Sequence, residues 1–230
     1  MCGRYTATDP EAILDELRDL GVAEIDVELS PRYNVAPSQV MPIVASDAPA
    51  RVVPARWGLI PPWARRRADR RPQKPLINAR SETAAHKPSF RDAVKARRCL
   101  VLADGYYEWK REGARKTPHH IRARSGRPFV FAGLWAPGDD DDPVRTFAIL
   151  TTDADELVAP IHDRMPVILG REARARWLDP NALRPEQAEA IVAEAGAPEM
   201  EAYPVEKAVG SPSVDDPSCI EPAARQPTLF

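Results

Sequence analysis

The stretch from Cys99 to Leu134, CLVLADGYYEWKREGARKTPHHIRARSGRPFVFAGL, decides the fold class. It holds four short apolar or alternating runs, Cys99–Ala103, Tyr106–Lys110, His119–Ala123 and Phe129–Leu134, punctuated by glycine and proline. Runs of that length between turn-forming residues read as strands. The same texture continues outward on both sides, with further strand candidates at Val40–Ala45, Arg51–Trp57, Thr146–Thr151 and Met165–Leu169. Short helices are expected between them at Ser89–Arg98 and Asp153–Ala159, and after them at 171–178 and 185–194. At the amino-terminal end Asp9-Pro10 reads as an N-cap followed by Pro at the first helical position. Ile13, Leu14, Leu17 and Leu20 then recur at helical spacing, which predicts an amphipathic helix over 10–20. The whole predicts an α+β single domain with a curved, largely antiparallel β-sheet or barrel-like core and short flanking helices.

A length of 230 residues suits one large core, and 43% hydrophobic with 29% charged residues suits a soluble body. No apolar run approaches the ~18–20 residues of a membrane span, and Arg4, Asp9 and Glu11 stand where a signal peptide would need an apolar centre. The three cysteines, Cys2, Cys99 and Cys219, cannot all pair and form no CxxC unit, so reduced thiols in a cytoplasmic protein are expected. Neither metal nor cofactor is expected, since His86, His119, His120 and His162 show no ligand spacing with those cysteines. The net charge of −2 hides an uneven distribution. Arg65, Arg66, Arg67, Arg70, Arg71 and Lys74 crowd one stretch, and Asp139–Asp142 form an acidic run. Prolines cluster at Pro54, Pro61, Pro62, Pro72, Pro75 and Pro88. That segment is expected to be a long surface excursion of the kind that often carries function. Trp63 offers it a stacking face for a single strand, while Trp57 is assigned to the core.

Chemistry concentrates at Cys2. Removal of Met1 would leave an amine and a thiol on one carbon frame. The α-amine has a reference pKa near ~8 against ~10.4 for lysine, so its neutral fraction at pH 7 is ~200-fold larger. With an aldehyde the pair forms a Schiff base, which the thiol closes to a five-membered thiazolidine at high effective molarity.

Six ordered motifs accompany this terminus: MCGRY (1–5), PRYNVAP (31–37), RWGLIP (56–61), NARSET (78–83), DGYYEW (104–109) and IHDRMP (161–166). Together they closely resemble the SOS response-associated peptidase (SRAP) family, whose members shield abasic sites in single-stranded DNA by covalent crosslinking. The resemblance runs from Met1 to about Pro222, which makes residues 1–222 the expected domain and 223–230 a flexible tail. It implies Cys2 as the nucleophile, Asn78 orienting the terminus or the sugar, Glu108 as the proton-transfer carboxylate and His162 as acid or base at the sugar oxygen. It implies Arg4, Arg80 and Arg164 on the flanking phosphates; Trp63, Arg65, Arg66 and Arg67 are added as part of the strand path. Dehydration of a carbinolamine needs a proton donor and ring closure an acceptor, which Glu and His can alternate in supplying.

Other readings remain open. Asn78 also fits a helix cap, Glu108 a solvent-facing strand position and His162 a cap or core group. An amino-terminal-nucleophile glutamine amidohydrolase shares Cys2-Gly3, but this chain has no Asn-Gly dipeptide for the oxyanion element. A non-catalytic DNA- or clamp-binding module is the third reading. The last residues, Gln226, Leu229 and Phe230 in QPTLF, resemble the short peptides that dock on bacterial sliding clamps. The expected partners are abasic single-stranded DNA and the clamp, and the expected protein is a nucleoid-associated monomer whose Met1 leaves either autocatalytically or through a housekeeping aminopeptidase.

Overall fold

Both faces of the main sheet are buried, which is why its strands read as unbroken apolar runs. In the computed structural model, which describes residues 2–25, 27–65 and 74–224, the strands are β1 (Tyr5–Ala7), β2 (Arg32–Val35), β3 (Val40–Ala45), β4 (Ala48–Trp57), β5 (Asn78–Arg80), β6 (Arg98–Ala103), β7 (Gly105–Glu112), β8 (Arg115–Ala123), β9 (Phe129–Ala136), β10 (Arg145–Asp153), β11 (Arg164–Pro166) and β12 (Met200–Pro204). The helices are α1 (Pro10–Asp19), α2 (Pro62–Arg65), α3 (Ser81–Ala84), α4 (Arg91–Ala96), α5 (Arg171–Leu178) and α6 (Pro185–Ala193).

Strands β4, β3, β6, β9 and β10 pair in that order, and β10 pairs again with β4, so the sheet closes on itself. The barrel-like alternative is thus the correct one. Pairings are antiparallel except where β10 runs parallel to β4 and β5. A second sheet, ordered β12-β8-β7-β1-β2, is antiparallel throughout. Alternation along β6 and β9 divides the core. Cys99, Val101, Phe129 and Phe131 pack with Tyr5, Trp57 and Tyr106 between the sheets. Leu100, Leu102, Val130 and Ala132 pack outward under Leu17 of α1, Val94 of α4, Trp177 of α5 and Ile191 of α6. The first helix forms as its sequence dictates, with Asp9 accepting from the Ala12 amide at 3.0 Å and Pro10 in the first turn.

Several expectations need correction. Asp153–Ala159 is not a helix; Asp153 ends β10, and the residues after it make hydrogen-bonded turns whose first is capped by Asp155. The strand expected at Met165–Leu169 is β11, which begins at Arg164 and ends at Pro166; beyond it the Val167 amide still donates to the Leu150 carbonyl, and the chain then crosses to β9 through a bridge between Ile168 and Phe131. Pro54 lies within β4, and the proline-rich excursion starts later, closed at its base by a bridge between Leu59 and Leu76. Residues 66–73, which include Arg66 and Arg67, lie outside the described residues. So do 225–230, with Gln226, Leu229 and Phe230. The segment from Ser211 to Pro222 is no loose tail. Asp215 accepts from the amides of Tyr33 and Asn34 and from Arg32, and Cys219 is buried. No helix among the described residues is long and apolar enough to cross a membrane.

Candidate functional site

The site is built on the chain's first strand. β1 lies between β2 and β7, with Tyr5 opposite Val35 on one side and Tyr106 on the other. The Tyr107 amide donates to the Arg4 carbonyl at 3.0 Å, which extends the β1–β7 pairing toward Cys2. One carboxylate secures the far end of the strand. Asp104 accepts from the Thr6 hydroxyl (2.6 Å), the Thr8 amide (2.5 Å) and hydroxyl (2.7 Å), and the Asp9 amide (3.2 Å). Gly105 follows it because a Cβ there would overlap the His120 ring and approach Thr6 Oγ1 to 2.7 Å. Sequence reading quoted Asp104 in a motif and gave it no role; only the fold shows that its acceptors converge on residues 6–9.

Cys2 is fully buried in the cluster between the sheets, and its Sγ faces the Arg4 carbonyl at 3.6 Å. Burial, reinforced by the negative charge of Glu108, pushes the thiol far above the ordinary range. It is therefore a neutral thiol at physiological pH. Asn78, the first residue of β5, donates from Nδ2 to the Cys2 carbonyl at 2.7 Å. Its Oδ1 is buried and accepts no hydrogen bond among the described residues, so one polar atom remains available to a ligand. The helix-cap alternative is excluded for Asn78, since Arg80, not Asn78, stands before α3.

Glu108 is buried, on a strand whose next residues turn solvent-exposed. Burial raises its carboxyl to about 7, against a smaller opposing pull from the positive amino terminus. A carboxyl at that value donates and accepts with comparable ease at neutrality. His162 ends the turn after β10, with its amide bonded to the Val158 carbonyl at 2.9 Å. Its Nδ1 accepts the Arg164 amide hydrogen at 3.0 Å, so the neutral ring holds its proton on Nε2. Asp163 lies 2.9 Å from the same Nδ1 and becomes its ion-pair partner only when the ring is charged. Desolvation, then the amino-terminal charge, lowers the imidazole below its usual value, with Arg111 adding to that effect. The Glu108 charge acts on the Cys2 thiol, Asp163 beside His162 acts on Glu108, and Asn78 bonds the Cys2 carbonyl, which brings four of the expected residues together around Cys2.

The arginines divide. Arg80 is exposed, two residues after Asn78 on the same strand. Arg4 is committed inward: its guanidinium donates to Asn34 (2.7 Å) and to the carbonyls of Val209 (2.8 Å) and Gly210 (2.9 Å). The Arg164 side chain is 8% exposed and pairs with Glu82 and Asp153. Arg65 pairs with Asp139 at 3.2 Å and Arg56 with Asp142 at 3.6 Å, so the acidic run neutralises the start of the basic stretch from within the molecule. Trp63 is 43% exposed, and Trp57 is in the core, where its indole donates to the Ile77 carbonyl at 2.9 Å.

The family model described as SOS response associated peptidase (SRAP) matches residues 1–212. The abasic site processing protein YoqW of Bacillus subtilis is 40% identical over 225 residues, spanning 96% of this chain and 99% of its own. The abasic site processing protein YedK of Escherichia coli is 34% identical over 230 residues, with 96% and 100% covered. A crystal structure of a protein from Bacteroides thetaiotaomicron superposes with a TM-score of 0.79 at 30% identity, covering 97% of this chain and all of that one.

Proposed function

The chain belongs to the SOS response associated peptidase family, and we propose that it captures abasic sites in single-stranded DNA as a thiazolidine on Cys2. The observation that carries this reading is the convergence of a buried neutral thiol, a carboxyl near pH 7 and a neutral imidazole around Cys2. Once Met1 is removed, the Cys2 amine attacks the ring-opened sugar aldehyde. Protonation of the carbinolamine oxygen expels water and leaves an imine. The thiol then adds across the C=N bond: sulfur bonds to carbon and its proton ends on nitrogen, so no thiolate need accumulate. Glu108 accepts from sulfur and donates to nitrogen or oxygen, and His162 Nε2 serves the sugar oxygen. Asn78 fixes the Cys2 carbonyl and turns its open Oδ1 toward the incoming sugar. Arg80 takes a flanking phosphate, with Trp63 and the stretch through Arg66 and Arg67 continuing the strand path. Removal of Met1 by the same residues is part of the reading.

Intact mass after incubation with an abasic oligonucleotide tests it. A covalent adduct is expected with single-stranded DNA and not with Cys2→Ala; an unmodified mass, or equal capture of fully paired DNA, overturns it. The reading also takes the protein to work as a cytoplasmic, nucleoid-associated monomer, with Gln226, Leu229 and Phe230 docking on the sliding clamp. Leu229→Ala with Phe230→Ala is expected to abolish saturable binding of the terminal peptide to the clamp.

A further inference from the structure

Strands β7 and β8 run on past the sheet that holds them. β1 follows β7 as far as the bond from the Tyr107 amide to the Arg4 carbonyl, and the chain after β12 leaves β8 where the Val205 amide donates to the Pro118 carbonyl at 3.0 Å. Beyond those points the two strands pair with each other as an arm. Lys110 stands opposite Thr117, Arg111 opposite Lys116 and Glu112 opposite Arg115, around a turn that Gly113 makes at φ +60°. Residues 111–116 are all exposed. A two-stranded ribbon gains little stability of its own, so the side chains of the arm face solvent or a partner.

The arm carries Lys110, Arg111, Arg115 and Lys116 against a single acid, Glu112. Lys110 pairs with Glu112 at 2.8 Å, and Glu112 has Arg115 as its register partner. Arg111 and Lys116 are placed differently. Residues directly opposite in an antiparallel pair share a face, and like charges there are destabilising. Neither side chain forms an ion pair among the described residues. Two cations held face to face with no anion between them form an arrangement that a bound anion relieves. Position says which anion. Arg111 follows Glu108 on the same strand, and its charge reaches the His162 ring, so the arm rises from the rim of the Cys2 site. It belongs to the second sheet, whereas Arg80 comes from β5 of the main sheet.

We infer that Arg111 and Lys116 grip one backbone phosphate of the DNA flanking the abasic site, on the second-sheet side of the site. Contacts to phosphate hold a strand in place without reading its bases, so the arm confers no sequence preference.

The inference takes its partner from the proposed capture reaction, and binding alone tests it. Affinity of the full chain for intact single-stranded DNA, with no abasic site, is measured against salt. Arg111→Ala with Lys116→Ala should flatten the slope by ~0.7, one single-strand phosphate, which is about 5-fold in affinity per decade of salt. Arg124→Ala with Arg127→Ala removes the same charge from exposed positions just past the other end of β8 and should leave the slope unchanged. Lys116→Glu separates ligand from fold. It replaces a like-charged pair with an opposite one, so Tm should rise by roughly 1–4 °C while the slope falls at least as far as in the alanine pair. An unchanged slope in the alanine pair, an equal loss in the Arg124 and Arg127 control, or a Tm for Lys116→Glu no higher than wild type overturns the inference. Arm-dependent binding without any covalent adduct would sink the proposed function and leave this inference standing; a wild type that binds no DNA would sink both.

Discussion

Replacing Glu108 with glutamine should stabilise the protein at alkaline pH while disabling it. The carboxyl is buried at 2% exposure and its pKa is raised from 4.5 to about 7 by desolvation. A group that holds its proton more tightly folded than unfolded supports folding below its unfolded pKa. That support is lost as pH rises through the folded value. Between pH 4.5 and 7 the loss integrates to about 3 kcal/mol. Glutamine has the same shape and no ionisation, so the variant should match the wild type near pH 4. At pH 8 it should be more stable by up to about 3 kcal/mol. For a chain of 230 residues each kcal/mol moves Tm by roughly 2–4 °C, which makes the gap roughly 6–12 °C. Urea or thermal unfolding of both proteins at pH 4, 6 and 8 measures it, and the difference cancels the titrating groups that do not interact with Glu108. Capture by the variant should fall by about 10²- to 10⁴-fold, the usual contribution of a proton-transfer residue. A stability difference that does not change between pH 4 and 8 would show that Glu108 titrates as an ordinary carboxylate, and the proton-shuttle argument would go with it.

Three further outcomes are expected. Cys2→Ser keeps the amine but cannot close the sulfur ring, so its adduct should be heat-labile unless reduced; an equally stable unreduced adduct refutes thiazolidine formation. Arg80→Ala should weaken DNA binding and reduce the salt slope by ~0.7 with little change in saturating rate, and an unchanged slope removes it from the phosphate path. Gly105→Ala should destabilise the fold by about 1–3 kcal/mol and slow capture, because the new methyl meets a His120 ring that Tyr203 holds at 3.0 Å. Wild-type stability and rate in that variant would mean that the strand carrying Cys2 does not depend on this packing.

Legibility in the sequence followed burial and cooperativity. Strands β3, β6, β9 and β10 were readable because both their faces are covered, giving long apolar runs, and α1 because Asp9 and Pro10 mark its start. The strands β1, β2, β5 and β12 were not, since three to five residues with mixed polarity carry no period. Yet β1 and β5 hold Cys2 and Asn78 in place, so the site's framework was the least visible part of the fold. The roles of Cys2, Asn78, Glu108 and His162 came from motif order and resemblance, and the geometry shows why those types sit together. Arg164 gave no sign in the sequence of its two carboxylate partners. They stand 82 and 11 residues away in sequence, and only the fold brings them close.

A terminal nucleophile faces a difficulty that internal ones do not: the first residues of a chain ordinarily fray. Here residues 2–9 are fixed at nearly every step. Asn78 holds the Cys2 carbonyl, Arg4 reaches Asn34 and the carbonyls at 209 and 210, and Asp104 gathers the donors of residues 6, 8 and 9. The Asn34 side-chain Nδ2 in turn donates to the carbonyls of Val209, Ser211 and Val214, and Asp215 accepts from the backbone amides of Tyr33 and Asn34. The segment from 207 to 220 is therefore a strap whose function is felt at the opposite end of the chain. Two of the six motifs, PRYNVAP and DGYYEW, contain strap or anchor residues beside their other roles. In the proposed reaction, where loss of Met1 exposes the Cys2 aminothiol, this network would hold that aminothiol in position, and positioning is what ring closure at high effective molarity requires.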